Sequence, residues 1–521
     1  MIISCLKNRL LPACLFLLML NTSVYAQKST SLPRSIPEAE GVSSAGIDSF
    51  LYAAANSPHE FHSIMVLRHG KVIAEGWWNP YSSTLKHALY STSKSFTSTA
   101  IGFLVSEKKM TVNDKVVSFF PNMLPDTISP YLAALTVKDL LTMSVGQTPD
   151  PTGVIPFTTD HWVKAFLALH IANKPGSVFL YNTMATYTLS AIVQKVSGQK
   201  EIDYLKPRLF DPLGITGEDW EISDEGVNTG GWGLRLKTED LAKMGQFYLQ
   251  KGSWNGKQLL PKEWVDEATT FKIDQAPGEA QSKKDSSDWK QGYCYQFWRC
   301  RNNAFRADGA FGQYIIVMPD KDAVVAITCE TKDMQGEINL VWKYLLPAIG
   351  GGALPANKVA AAQLKQHLAE LDLPALANTG GKTYIAAISG KTFMLQPNDL
   401  NIKSIFFNDG GKSCQVALKK DTATYYFSFS TGKWLINKTN MQGPSLLLQA
   451  KEDFSALPPY AIADSYNWPD EHTLQLKIRY IESPHSEMIT CHFSGNTITA
   501  TVEYSFNYGS KKIELKGEAV N

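Results

Sequence analysis

Leu89-Tyr90-Ser91-Thr92-Ser93-Lys94-Ser95-Phe96-Thr97-Ser98-Thr99-Ala100-Ile101-Gly102-Phe103 is the stretch on which the reading of this chain turns. From Phe96 to Val105 apolar residues recur at helical spacing, so the region near 91–107 reads as a helix that buries one face. Ser91 then falls at the helix N-terminus, where unpaired amides and the helix dipole favour developing negative charge. Lys94 lies one turn further on the same side, near enough to hydrogen-bond the Ser91 hydroxyl and accept its proton. The S-x-x-K spacing alone selects nothing. It recurs at Ser4 with Lys7, Ser106 with Lys109, Ser197 with Lys200, Ser287 with Lys290 and Ser430 with Lys433. Placement singles out Ser91, because no rival opens a helix of this kind; the competing reading makes Ser91 a plain helix cap and Lys94 a solvated charge.

Upstream of this stretch, Ile64–Leu67 and Val72–Ala74 flank His69-Gly70-Lys71 as a β-hairpin. A second strand pair, Tyr314–Val317 and Ala323–Ile327, is expected much later, followed by a helix from Glu337 to Leu346. Between the hairpins, the segments near 136–144, 184–197 and 239–250 repeat apolar residues at three and four. The architecture these imply is α/β: an antiparallel sheet flanked by helices, with a helical domain inserted. After Gly350-Gly351-Gly352 a helical linker occupies 353–379, with its helix from Lys358 to Leu371. From 380 to 521 short strands alternate with turns, which argues a C-terminal all-β sandwich or barrel.

Two further stretches bear on chemistry. Tyr181-Asn182-Thr183 precedes the helix that starts near Met184, although a buried aromatic with a satisfied hydroxyl would look the same. Phe305-Arg306-Ala307-Asp308-Gly309-Ala310-Phe311-Gly312-Gln313 enters the late hairpin, where an edge strand can aim a backbone amide into a cleft.

Taken in order with Ser91 and Lys94, these elements resemble the serine β-lactamase and penicillin-binding protein superfamily, and within it the class C, esterase-like branch. The resemblance spans about Ile36 to Gly352. It also includes Ser63 to Trp78, Leu135 to Met143, Pro175 to Gly198 and Gly230-Gly231-Trp232-Gly233-Leu234-Arg235. It implies a β-lactamase-like domain over 27–352 in which Ser91 is acylated and Lys94 and Tyr181 share proton transfer. The oxyanion would be held by the amides of Ser91 and a residue near Ala307. Two departures stand out. The family's second motif usually ends in Asn or Ser, where this chain has Thr183, so Asn182 is a candidate substitute. The third motif normally opens on Lys or His, and Phe305–Gly309 contains neither. Penicillin turnover is therefore disfavoured unless Arg306 faces the cleft. Asp308, by its position, is expected either to select a cationic or hydroxylated substrate group or to serve a turn.

Composition narrows the field. Across 521 residues, 44% are apolar and 50 Lys and Arg balance 49 Asp and Glu. Neither disorder nor a nucleic-acid or anionic-membrane partner is indicated. Lys7 and Arg9, the apolar run Leu10–Leu20 and Val24-Tyr25-Ala26 have the order of a secretory signal cleaved near Ala26. That run is about half the length of the roughly 20 apolar residues a span needs. The mature protein is expected to be periplasmic or extracellular, with five cysteines read as buried thiols unless Cys294 pairs with Cys300 or Cys414 with Cys491. There is no G-x-S-x-G nucleophile elbow, and Gly381-Lys382-Thr383 lacks the first glycine of a P-loop. No cofactor and no metal are expected, His59-Glu60-Phe61-His62 lacking helical ligand spacing. The expected function is an exported serine hydrolase acting on a small ester or amide. The alternatives are a β-lactamase or DD-peptidase and a non-catalytic envelope binding module.

Overall fold

The computed structural model describes residues 31–159, 161–378, 384–421, 423–446 and 459–520; the signal expected at 1–26 lies outside them. Strands β1 (Glu60–Arg68) and β2 (Lys71–Trp77) form the first hairpin. His69 and Gly70 both take positive φ (51° and 72°), the backbone that matches a tight turn to the strand twist. The late strands are β3 (Trp298–Arg299), β4 (Phe305–Gly309), β5 (Gln313–Met318) and β6 (Ala323–Glu330). They join the hairpin in one antiparallel sheet of order β2-β1-β6-β5-β4-β3. β6 carries Ala323-Val324-Val325-Ala326-Ile327 without alternation because both faces of the sheet are covered.

The strand pleat feeds two cores. Ile64, Val66, Ile316, Val325 and Ile327 pack with Phe50 and Leu51 of helix α1 (Ser44–Ala55). Met65, Leu67, Ile315, Val324 and Ala326 pack on the opposite face with Leu241, Met244 and Phe247. That second core continues into the helical insert through α2 (Ser93–Ser106), α3 (Thr183–Ser197) and α4 (Thr238–Leu249). The late helix expected from Glu337 starts at Met334, where Asp333 accepts from the Gly336 amide as an N-cap. Helix α5 (Lys358–Ala369) buries Leu364 in the α1-side core. The five cysteines outside the N-terminal segment are buried free thiols.

Ten strands make up the C-terminal domain: β7 (Thr392–Leu395), β8 (Ile402–Asp409), β9 (Cys414–Lys420), β10 (Thr424–Phe429), β11 (Leu435–Thr439), β12 (Tyr460–Asp470), β13 (Thr473–Tyr480), β14 (Ser486–Ser494), β15 (Thr497–Tyr504) and β16 (Ile513–Val520). Neighbours in sequence pair antiparallel, β7 also pairs with β16, and β10 and β11 are left as the edges. The sheet curls until Ser430, just after one edge, bridges Ser465 next to the other, giving a nearly closed barrel. Its lumen is filled by Phe393, Phe407, Trp468 and Phe493, so it is a packed core.

The barrel docks against the hydrolase domain through buried polar groups. Arg479 at the end of β13 pairs with Glu60 of β1 at 2.5 and 3.1 Å. The Ala88 amide donates to Glu482 O (2.9 Å) and the Tyr81 hydroxyl to Ser483 O (3.1 Å). Among the described residues no helix is long and apolar enough to cross a membrane.

Candidate active site

The nucleophile turn is built by the chain leaving the short strand His87–Ala88. The Leu89 amide donates to Leu234 O (3.0 Å), Tyr90 takes a positive φ of 48°, and a single 3-10 turn, Tyr90–Thr92, leads into α2. The Ser93 hydroxyl ties the turn to Tyr90 O (2.7 Å), and Thr92 Oγ1 donates to Gln313 O of β5 (2.8 Å). β4 passes so near that a Cβ on Gly309 would sit 2.1 Å from Leu89 O, so only glycine fits there.

Ser91 and Lys94 meet as their spacing suggested: Lys94 Nζ lies 3.0 Å from Ser91 Oγ and donates to Gly231 O at 2.7 Å. Burial lowers the Lys94 pKa to about 7, against the opposing pull of Asp150 and Asp308. A desolvated ammonium with one carbonyl acceptor is poorly compensated, so the neutral amine is well populated near neutral pH. Tyr181 completes the group. Its phenol lies near enough to Ser91 to be influenced by it, its ring lies 5.0 Å from Lys94 Nζ, and it stacks on Trp298 at 5.6 Å. Burial pushes the Tyr181 phenol well above its ordinary pKa, with the neighbouring Ser91 opposing. The two candidate proton carriers are thus driven apart, Lys94 toward the neutral base and Tyr181 toward the neutral acid.

The remaining sequence candidates divide. Thr183 lines the cleft, and its amide donates to Thr152 Oγ1 (3.0 Å). Asn182 is the N-cap of α3: its Oδ1 accepts from the Ala185 amide (3.0 Å) and its Nδ2 donates to Gln147 Oε1 (2.9 Å). Arg306 is fully buried, pairs with Asp308 at 2.8–2.9 Å and lies over Trp289 at 4.3 Å. It is therefore not a free cation in the cleft, and one Asp308 oxygen is taken up by it. Ala307 sits in the ladder opposite Ile315, whereas Ala310, past Gly309, lines the cavity beside Ser91.

That cavity, about 200 Å³, holds several groups that the sequence reading missed. Gly231 was noted only as part of a resemblance, yet its carbonyl anchors Lys94; a Cβ there would lie 2.6 Å from Thr183 Cγ2 and 3.4 Å from Lys94 Nζ. Glu221 and Arg235 also line it, and the barrel closes one side with Gln442–Leu446, Tyr460 and Glu482. The run Gly230–Gly233, dense in a residue that permits close approach, was the only local signal for any of these. The barrel residues carry none, since only tertiary docking brings them to Ser91.

A model of the Beta-lactamase family matches residues 62–345. The chain is 23% identical over 285 residues to a 6-aminohexanoate-dimer hydrolase of Paenarthrobacter ureafaciens, covering 50% of this chain and 71% of that one. It is 26% identical over 167 residues to protein flp of Staphylococcus aureus strain COL, which spans 30% of this chain and 33% of that protein. A solved Bacillus anthracis protein, proposed to be a 6-aminohexanoate-dimer hydrolase, superposes with a TM-score of 0.50 at 18% identity. That overlay covers 62% of this chain and 89% of that one. With the family match spanning more than half of its length, this chain belongs to the Beta-lactamase family and is a β-lactamase-related serine hydrolase.

Proposed function

We propose that the protein cleaves an ester or amide bond in two steps through an acyl-Ser91 intermediate. The observation that carries this reading is Lys94 Nζ, 3.0 Å from Ser91 Oγ and with its pKa brought down to about 7. Neutral Lys94 takes the Ser91 proton as Oγ bonds to the substrate carbonyl carbon. The oxyanion that forms is held by the amides of Ser91 and Ala310. As the carbonyl re-forms and the leaving group departs, Tyr181 passes it a proton and is reprotonated by Lys94. Water then attacks the ester on Ser91, gives its proton back through the same pair, and releases the acid with Ser91 restored.

An amide or ester without a carboxylate anchored at the third motif suits this site better than a penicillin, because Arg306 is closed off by Asp308 and Trp289. A relative named as a hydrolase of a 6-aminohexanoate dimer supports the same preference. Export is part of the proposal and rests on the pattern of residues 1–26; it is checked by fractionating cells that express the full chain.

The chemical reading is tested by intact-mass labelling with a fluorophosphonate and, separately, with a fluorescent penicillin, wild type against Ser91→Ala. Labelling by the phosphonate alone, lost in the variant, is the expected result. Labelling by both promotes the β-lactamase or DD-peptidase alternative. A folded protein that takes up neither is a binding module.

A further inference from the structure

Among the described residues, the part of the cavity lined by Glu221, Arg235 and Glu482 is short of a cation. Three carboxylates meet there: Asp219, Glu221 and Glu482. Among the described residues two cations answer them, Lys86 and Arg235; both contact Asp219, and of the two only Arg235 also reaches Glu482. Arg235 Nε and Nη2 donate to the two Asp219 oxygens at 2.7 and 2.8 Å, and Lys86 Nζ contacts Asp219 as well. Glu482 Oε2 is 3.5 Å from Arg235 Nη1, beyond good hydrogen-bond geometry. That Nη1, on a side chain 97% buried, lines the cavity without a hydrogen-bond partner. Glu221 keeps partial exposure, which is to the cavity it lines. Burial raises its carboxyl to about 7, with the Trp232 indole and Arg235 opposing and Asp219 adding to the rise. The charged and titratable groups around it are therefore Arg235 and Asp219 on its own domain, with Tyr90 nearer Ser91, and Tyr460 and Glu482 on the barrel. The same cavity is also walled by the apolar side chains of Trp232, Pro444, Leu446 and Tyr480.

We propose that this part of the cavity is a subsite for an ammonium group at the far end of the substrate's acyl chain, held between Glu221 of the hydrolase domain and Glu482 of the barrel. An ammonium supplies the missing positive charge and donates to both carboxylates, while the apolar walls accept the chain between it and the carbonyl. Glu482 then draws away from Arg235, whose Nη1 is free to meet a hydrogen-bond acceptor near the amine. The acyl chain is the part assigned here because it stays on Ser91 while the leaving group departs, and the barrel closes one side of the cavity. This inference rests on acylation of Ser91, as proposed above.

The test compares p-nitrophenyl esters of ω-aminoalkanoic acids with those of unsubstituted alkanoic acids of matched length, and with ω-carboxyalkanoyl esters. The readout is the ratio of kcat/KM for amino over unsubstituted ester within each protein. In wild type that ratio favours the amine and climbs as pH rises through about 7, where Glu221 ionises. Titration of Lys94 cancels in the ratio. In Glu221→Gln the ratio falls by about 10- to 100-fold, the range for losing a charge-assisted hydrogen bond, and no longer varies with pH. A wild-type preference for the unsubstituted or the carboxylated ester overturns the proposal, as does a ratio unchanged in Glu221→Gln.

Binding separates failure of the subsite from failure of the chemistry. Calorimetry of n-pentylamine with the full Ser91→Ala protein should show affinity that n-pentanol lacks and that the Ser91→Ala, Glu221→Gln protein loses. Absence of that difference overturns the subsite even if the esters are hydrolysed. Its presence without hydrolysis upholds the subsite and removes the acyl-enzyme reading.

Discussion

Replacing Lys94 by Met should abolish labelling of Ser91 and, at neutral or acidic pH, make the protein more stable. The Lys94 side chain is 1% exposed, and burial moves its pKa from 10.5 to about 7. For a lysine with a lowered pKa, the folded state has released its proton between those two values while the unfolded chain still holds it. Unfolding therefore takes up a proton, and stability rises with pH by about 1.4 kcal/mol per unit across that window. Below about pH 7 both states are protonated and the whole penalty, about 5 kcal/mol, is in force; above 10.5 it is gone. Methionine fills similar space with no charge, but it leaves Gly231 O without the donor it has at 2.7 Å, a cost of about 1–3 kcal/mol. The balance predicts a gain of roughly 2–4 kcal/mol at or below neutral pH, shrinking and then reversing as the medium becomes alkaline. Urea titrations of both proteins at a series of pH values measure this, because titrating groups not coupled to Lys94 cancel in the difference, whereas Asp150 and Asp308 are coupled to it. If the stability difference is flat from about pH 7 to about pH 9, Lys94 is charged throughout and the assignment of the base fails.

Three further outcomes follow from the same geometry. For a neutral ester, kcat/KM should rise with pH through about 7 as Lys94 loses its proton, and a pH–rate profile without that limb contradicts the base assignment. Arg479→Ala should cost about 2–4 kcal/mol. That is somewhat below the about 3–5 kcal/mol for breaking a fully buried pair, because the Glu60 side chain is 32% exposed and water partly compensates it. Burial pushes the Glu60 carboxyl up, and Arg479 and His62 together more than offset this, holding it well below the ordinary range, so the pair's contribution should persist above about pH 5 and fade on acidification; a wild-type-minus-variant stability difference that does not shrink in acid refutes this account. His485→Leu should slow phosphonate labelling of Ser91 at least several-fold in protein that remains folded, because His485 Nε2 accepts from the Tyr90 hydroxyl at 2.5 Å just before the nucleophile; an unchanged labelling rate shows that the turn holds its shape unaided.

Legibility of this molecule in its sequence followed the range of the interactions involved. The hairpin at His69-Gly70, helices α2 to α4 and the Ser91–Lys94 approach are set by local periodicity, turn chemistry and one helical turn, all of which a single segment records. The Tyr181 contact required two distant segments to meet, and only order along the chain and family resemblance pointed to it. Arg306 shows why side-chain type misleads: the sequence offers a cation in the third motif, but two residues later it supplies Asp308, and β4 turns both side chains to the same face. Asn182 shows the same competition, since a residue ahead of an apolar helical run is drawn first to capping. Glu221, Arg235 and Glu482 gave no signal, because a charge deficit is a property of an assembled cavity.

The barrel reaches the nucleophile turn itself as well as packing on the hydrolase domain. Tyr90 holds a positive φ of 48°, uncommon for an aromatic residue, immediately before the nucleophile. Such a conformation persists when its surroundings over-determine it, and here much of the restraint comes from the other domain. The Tyr90 hydroxyl donates to His485 Nε2, His485 Nδ1 is 2.7 Å from Glu330 Oε1, and Ser505 donates to that same carboxylate oxygen. Phe311 and Phe506 pack edge-to-face on the imidazole at 4.7 and 4.9 Å, which fixes its plane. Glu330 ends β6, in the same sheet as β4, which crosses the nucleophile turn through Gly309. One chain of contacts thus runs from the central sheet through the barrel's His485 to the residue beside Ser91. Loosening the barrel should therefore lower the reactivity of Ser91 before it unfolds the hydrolase domain. Phosphonate labelling and intrinsic fluorescence followed through the same urea titration would show that order, with labelling lost at the lower concentration. Coincident loss of the two signals would mean that the domains unfold as one unit and that the turn draws nothing separate from the barrel.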